Sequence, residues 1–319
     1  MSGIGERAES LAGTVMSVTG PVAPEELGIA HSHEHVLWDY FQMIRSYEVI
    51  FDDENVARNE VQLFADAGGG TLIDCTTTGL GPQPEALKRI SEATGVKIVL
   101  GCGWYREPVY TPEVSEKTIL QLSDIMVKQL TEGFDGTGIR AGFIGEIGTE
   151  RHFVSPREER VFRAAGKAAV RTGCAIWTHT THFGELAHEQ IDILEDEGVS
   201  PDRIVVNHLG DREDTDHLLA IARRGVYVSI DNIGYIAEGY PGDDVRLNSV
   251  LALIEAGFQD RVMLGTDIGT RAALKAYGGR GFPWLIEKFI PMMRDAGISQ
   301  QNIDLATTHN AARALTIGG

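Results

Sequence analysis

The chain is short of cysteine, of basic residues and of long apolar runs. Its 319 residues include three cysteines, Cys75, Cys102 and Cys174, each inside an apolar strand-like run. That excludes a disulfide framework and points to buried thiols in a reducing cytoplasm. Lysine and arginine number 28 against 46 acidic residues, a formal charge of -18. So acidic a surface disfavours nucleic acid and anionic membranes as partners, but a buried site can still be locally positive, above all around a metal. No apolar run approaches the roughly 18 residues of a membrane helix. Residues 1–12 lack the charged-then-apolar pattern of a secretory signal and read as a flexible tail. No G-x-G-x-x-G follows the first strand, which weakens a dinucleotide-binding reading.

What is present is a regular alternation. After a short strand at 14–20 and a turn at 21–26, strands are expected around 31–35, 71–75, 96–101, 141–147, 175–179, 204–208, 226–230 and 262–267. Helices are expected at 53–67, 84–93, 115–132, 156–171, 185–197, 215–224, 245–256, 284–296 and 300–315, several stopped by glycine. Short, continuously apolar strands fit a fully buried parallel sheet. Eight strand–helix units without a polar linker or low-complexity segment predict an α/β protein, a single (β/α)8 TIM barrel over residues 13–319. An open doubly wound sheet is the alternative.

The stretch H-S-H-E-H at 31–35 anchors the functional reading. Residues two apart on a strand share a face, so His31, His33 and His35 could point together. Alone, the spacing suits either a metal site or ordinary polar strand residues. Barrel enzymes place their chemistry at the C-terminal strand ends. There the chain puts His33 and His35 on strand one, Glu146 on strand four, His179 on strand five, His208 on strand six and Asp267 on strand eight. In a closed barrel the first and last strands are neighbours, so His33, His35 and Asp267 can meet. Four histidines and two carboxylates exceed what one tetrahedral ion needs and suit one or two zinc-like ions. Two ions need a shared anionic ligand, and Glu146 is placed across the barrel to bridge them. His31 is expected lower in the barrel, pointing inward.

Several segments together resemble the phosphotriesterase family of the amidohydrolase superfamily. They are G-P-V-A-P-E-E-L-G at 20–28, H-S-H-E-H, C-G-W-Y-R-E-P-V-Y at 102–110, A-G-F-I-G-E-I-G-T at 141–149, T-H-T at 178–180, N-H-L-G-D at 207–211 and G-T-D at 265–267. The resemblance implies an amidohydrolase-type barrel with two divalent ions, zinc first and manganese, cobalt or iron as options. His33, His35 and Asp267 lie on one side and His179 and His208 on the other. Many members bridge the ions with a carbamylated lysine; strand four here has no lysine, which resembles the branch bridged directly by glutamate. It also implies a homodimer. A second departure is Asn232, where organophosphate-degrading members carry a proton-relaying histidine; Asp211 remains as an outer relay candidate.

The expected reaction is attack of activated water on a lactone or carboxylic ester, with Asp267 taking the proton. An N-acyl amide or an organophosphate triester is the alternative, and a non-catalytic metal-binding barrel a further one. A sugar-phosphate isomerase would not explain four strand-end histidines. Trp104, Tyr105, Arg106 and Arg271 are the candidate substrate contacts; either arginine could hold a carboxylate or phosphate. The substrate is expected to be a small molecule.

Overall fold

The computed structural model describes residues 12–181 and 183–318. The expected N-terminal tail, up to residue 11, and His182 lie outside the described residues.

Eight parallel strands form one sheet: β1 (Ile29–Glu34), β2 (Gly69–Asp74), β3 (Lys97–Cys102), β4 (Phe143–Gly148), β5 (Ile176–His179), β6 (Ile204–Val206), β7 (Tyr227–Ile230) and β8 (Val262–Leu264). They lie side by side in chain order. The ends meet where the Asp267 amide donates to the His33 carbonyl at 3.2 Å, so the sheet closes into a (β/α)8 barrel. Apolar side chains such as Ala30, Ile73, Val99, Phe143, Trp177, Val205 and Met263 fill its interior, and Ala311 and Leu315 of the last helix join that cluster. A second apolar layer packs the outward strand faces against the helices.

Local chemistry explains the helix boundaries. Asp53 caps Glu54–Asp66 by accepting from the amides of Asn55 and Val56. Ser155 and Glu158 form a capping box at the start of Pro156–Thr172, and Gly173, at φ +73°, ends it. The long helix expected at 115–132 is instead two pieces, Glu113–Glu116 and Ile119–Thr131. Thr118 and Gln121 form a second capping box and Lys117 is extended, so the local N-terminus signal overrides the continuous apolar pattern. Residues 14–22 form a hairpin, Val15–Ser17 against Gly20–Val22, in place of the expected strand and turn. The connection after β1 carries a small excursion that pairs Trp38–Asp39 with Ile50–Phe51 and overhangs the mouth.

Candidate metal centre

His31, His33 and His35, on β1 and just past its end, do not share a face. The pairing of β1 with β2 shifts register between His31 and Glu34, and such an irregularity re-aims the side chains beyond it. Below it, His31 turns away from the interior toward the Phe64 ring on the helix Glu54–Asp66, 4.7 Å between centroids, and sits 2.6 Å from Glu34 Oε1. Above it, His33 and His35 face the barrel mouth. The expectation that His31 points inward is corrected by this slip.

Glu146 stands where the two groups of donors meet. Its Oε1 lies 3.4 Å from His35 Nε2, and its Oε2 lies 3.5 Å from His33 Nε2, 2.8 Å from His179 Nδ1 and 3.6 Å from His208 Nε2. Asp267 Oδ1 completes the first group at 3.6 Å from His33 Nε2 and 3.4 Å from His35 Nε2. His208 Nε2 and His179 Nδ1 are 2.8 Å apart in the second. The structure thus brings all six strand-end candidates into one cluster. Gly145, at φ +126°, makes the strand-four geometry possible: a Cβ there would lie 2.2 Å from the Trp177 carbonyl oxygen.

The donors fit divalent ions. His33 is fully buried, yet among the described residues neither of its ring nitrogens has a nitrogen or oxygen hydrogen-bond partner, and a buried imidazole so placed calls for a ligand. The sets His33–His35–Asp267 and His33–Glu146–His208 each offer converging nitrogen and oxygen donors, the chemistry zinc-like ions prefer. His208 and Asp267 hold left-handed backbones, φ +62° and +42°. Non-glycine residues in that region cost energy, and such strain collects at functional sites.

Electrostatics follow the geometry. Burial favours a neutral Glu146, but the His33 ring and the hydrogen bond from His179 prevail and hold its carboxyl well below the usual range. Burial drives His179 down to about 3. Burial opposes a charge on His208 too, yet the Asp231 carboxylate against it wins and raises it to about 10.

A 410 Å³ cavity opens over the cluster. Its wall includes Trp38, Tyr40, Tyr105, Arg106, Asn232, Tyr235, Tyr240 and Asp267. His35 stacks on Trp38 and Trp38 on Tyr40; Tyr105 meets Tyr40 and His179 edge-on. An aromatic arch therefore runs from one group of donors to the other. Burial keeps Tyr105 a neutral phenol, with its hydroxyl 3.2 Å from His179 Nε2.

Two expected substrate contacts lie elsewhere. Trp104 turns into the helix-facing core and hydrogen-bonds Thr111 and Glu113. Arg271 lies outside the cavity wall, with its guanidinium on the Tyr277 ring and hydroxyl. Asp211 is buried behind Asn232, 2.6 Å from its amide, and is paired with Arg246 at 2.8 Å.

Sequence reasoning missed two residues. Asp231 accepts the His208 amide and faces His208 Nδ1, both at 3.0 Å. Glu34 accepts from the amides of Thr266 and Ile268 and so ties β1 to the Asp267 loop. Asp231 carried a signal, since it directly follows strand seven at the level of the other clustered residues.

A model of the phosphotriesterase family matches residues 13–315. The N-acetyltaurine hydrolase of Danio rerio is 31% identical over 96% of this chain and 99% of its own. The phosphotriesterase homology protein of Escherichia coli is 32% identical over 90% of this chain and 97% of its own. Its crystal structure, with phosphate in the active site, superposes with a TM-score of 0.87 at 31% identity, covering 91% of this chain and 99% of that one. The crystal structure of a lactonase from Listeria monocytogenes gives a TM-score of 0.89 at 27% identity, covering 95% and 99%.

Proposed function

The chain belongs to the phosphotriesterase family, and from that membership we propose that it is a binuclear metal hydrolase cleaving a carboxylic acyl bond in a small molecule. It is an enzyme, and the chemistry of its family is metal-dependent hydrolysis. The observation that carries the reading is the position of Glu146 between His33, His35 and Asp267 on one side and His179 and His208 on the other.

In this reading His33, His35 and Asp267 would hold one ion and His179 and His208 the other, with Glu146 as the residue shared between the two groups. Zinc is the leading identity on donor chemistry. Divalent ions bound there supply a Lewis acid and a water acidified toward neutral pH. The remaining chemistry belongs to side chains. Asp267 is the cluster's most exposed carboxylate, at 21% against 1% for Glu146. It opens onto the cavity and is placed to take a proton from the attacking water and return it to the leaving group. Tyr105 stays protonated and offers an O–H donor at the cavity wall. Residues 13–319 act as one catalytic unit, and three unpaired buried cysteines support a reducing compartment. A homodimer remains part of the proposal.

Among acyl bonds we place an N-acyl amide first, ahead of the lactone or ester expected from the sequence. Similarity to the N-acetyltaurine hydrolases over nearly the whole chain supports this. A returnable proton on Asp267 suits a poor leaving nitrogen. Likeness to the Listeria lactonase supports a lactone as the second reading. The test is turnover by the metal-loaded enzyme on a panel of N-acyl amines, lactones, aryl esters and an aryl phosphotriester. Preference for amides carries the first reading and preference for lactones the second. A phosphotriester preference overturns the acyl assignment.

Among the described residues no helix is long and apolar enough to cross a membrane.

A further inference from the structure

The cavity contains a cation that the acyl chemistry does not use. Arg106 lines it, yet is only 7% exposed. A guanidinium carries five N–H donors. Here one is directed to the Tyr40 hydroxyl at 2.5 Å and one to Thr181 Oγ1 at 3.1 Å, while Nε has no partner among the described residues. A buried charged donor left unmatched is costly unless a ligand satisfies it. Its nearest acid, Glu150, lies 3.6 Å away, beyond hydrogen-bonding reach, on a side chain 38% exposed. The facing oxygen, Oε1, is itself buried without a hydrogen-bond partner among the described residues, so only this long ion pair holds the carboxylate and an incoming anion can displace it.

The surroundings form a built site. The Tyr105 ring lies 5.0 Å beneath the guanidinium and fixes its plane. The Thr181 hydroxyl donates to the Thr149 carbonyl, so its oxygen is committed to accepting from Arg106. The Tyr40 hydroxyl accepts from Arg106 and keeps its own proton to donate. The site adjoins the donor cluster: a Cβ on Gly148 would lie 2.9 Å from both Arg106 Cγ and His179 Cβ. One small molecule can therefore span from the cluster to the guanidinium.

Resting on the acyl-hydrolase reading, we propose that Arg106, with Tyr40, forms an anion subsite. The substrate then carries a permanently charged carboxylate or sulfonate at the end remote from its scissile carbonyl. The planar fork of arginine matches such oxyanions in bidentate fashion. The subsite also explains how a chain of charge -18 selects an anion: recognition is confined to one positive pocket whose low-dielectric walls strengthen it.

Two readouts on the metal-loaded enzyme test this. The first is calorimetric binding of propane-1-sulfonate against its neutral isostere, ethyl methyl sulfone. The second is the ratio of kcat/KM for an N-acetyl aminoalkane sulfonate or carboxylate to that for an uncharged N-acetyl alkylamine. Wild type should favour the anion by at least about tenfold in both. In Arg106→Met both preferences should collapse toward unity, and Arg106→Lys should restore part of them. If the preference persists in Arg106→Met, the ions alone read the anion and the subsite is wrong. If wild type shows no preference, the subsite is wrong whether or not the variants fold. If no acyl substrate is turned over but sulfonate binding still depends on Arg106, the subsite stands and the acyl-hydrolase reading fails.

Discussion

Asp231 grips His208 twice: its carboxylate accepts the His208 backbone amide at 3.0 Å and faces the ring nitrogen Nδ1 at 3.0 Å. The contact fixes both the left-handed backbone of His208 and the direction of Nε2 toward Glu146. An outer carboxylate on a ligating imidazole sets its tautomer and raises its basicity.

Asp231→Asn should therefore weaken metal retention by about 10- to 100-fold, read by chelator competition. An unchanged affinity would remove the orienting role. Loss of all folded structure would show that Asp231 is first of all a fold determinant.

Asp211 is held by Arg246 and Asn232 and stands off the cavity wall. Burial pushes its carboxyl up, in spite of the guanidinium beside it. Asp211→Asn should leave kcat within about threefold, since a group that does not touch substrate contributes little to general base catalysis. Arg246→Ala should lower stability by about 3–5 kcal/mol, the cost of stranding a buried charge, seen as a fall in Tm. A drop in kcat of about a hundredfold or more in Asp211→Asn would reinstate it as a proton relay.

The thiols give a pH-dependent check on burial. Burial pushes Cys75 up to about 12 and Cys174 to about 11, and raises Cys102 as well. A raised thiol pKa leaves less thiolate at every pH below it, and thiolate is the reactive form. At pH 8 the native protein should be inert to an aromatic disulfide reagent, whereas the denatured chain should react at all three positions. Rapid reaction of the native protein would contradict the packing.

The six-residue cluster was legible because two regularities coincide. Strand alternation and the common level of barrel strand ends bring distant residues together without any knowledge of the loops. That reasoning reached His33, His35, Glu146, His179, His208 and Asp267. It failed at His31, because a register slip inside a strand leaves no composition signal. It failed at Trp104 because successive residues leaving a strand point to opposite layers, so Tyr105 faces the cavity while Trp104 enters the core. Arg271 failed for another reason: proximity in the chain to strand eight says nothing about where the following loop folds. The helix expected at 115–132 broke at Thr118 because a capping box is stronger than periodicity at that point.

Glu146 in place of a lysine makes a chemical prediction of its own. A carboxylate needs no carbamylation, so metal-stripped protein should regain full activity on adding divalent metal alone. Bicarbonate should change neither the rate nor the extent of recovery. Dependence on bicarbonate would mean that another group bridges the ions.

The most direct measurement is the metal content of the purified chain by elemental analysis, beside that of Glu146→Ala. About two zinc-like ions per wild-type chain, falling to one or none in the variant, is the result expected of a Glu146-bridged pair. Wild-type protein that holds no metal tightly, even after reconstitution, would contradict the binuclear centre and the hydrolytic function built on it.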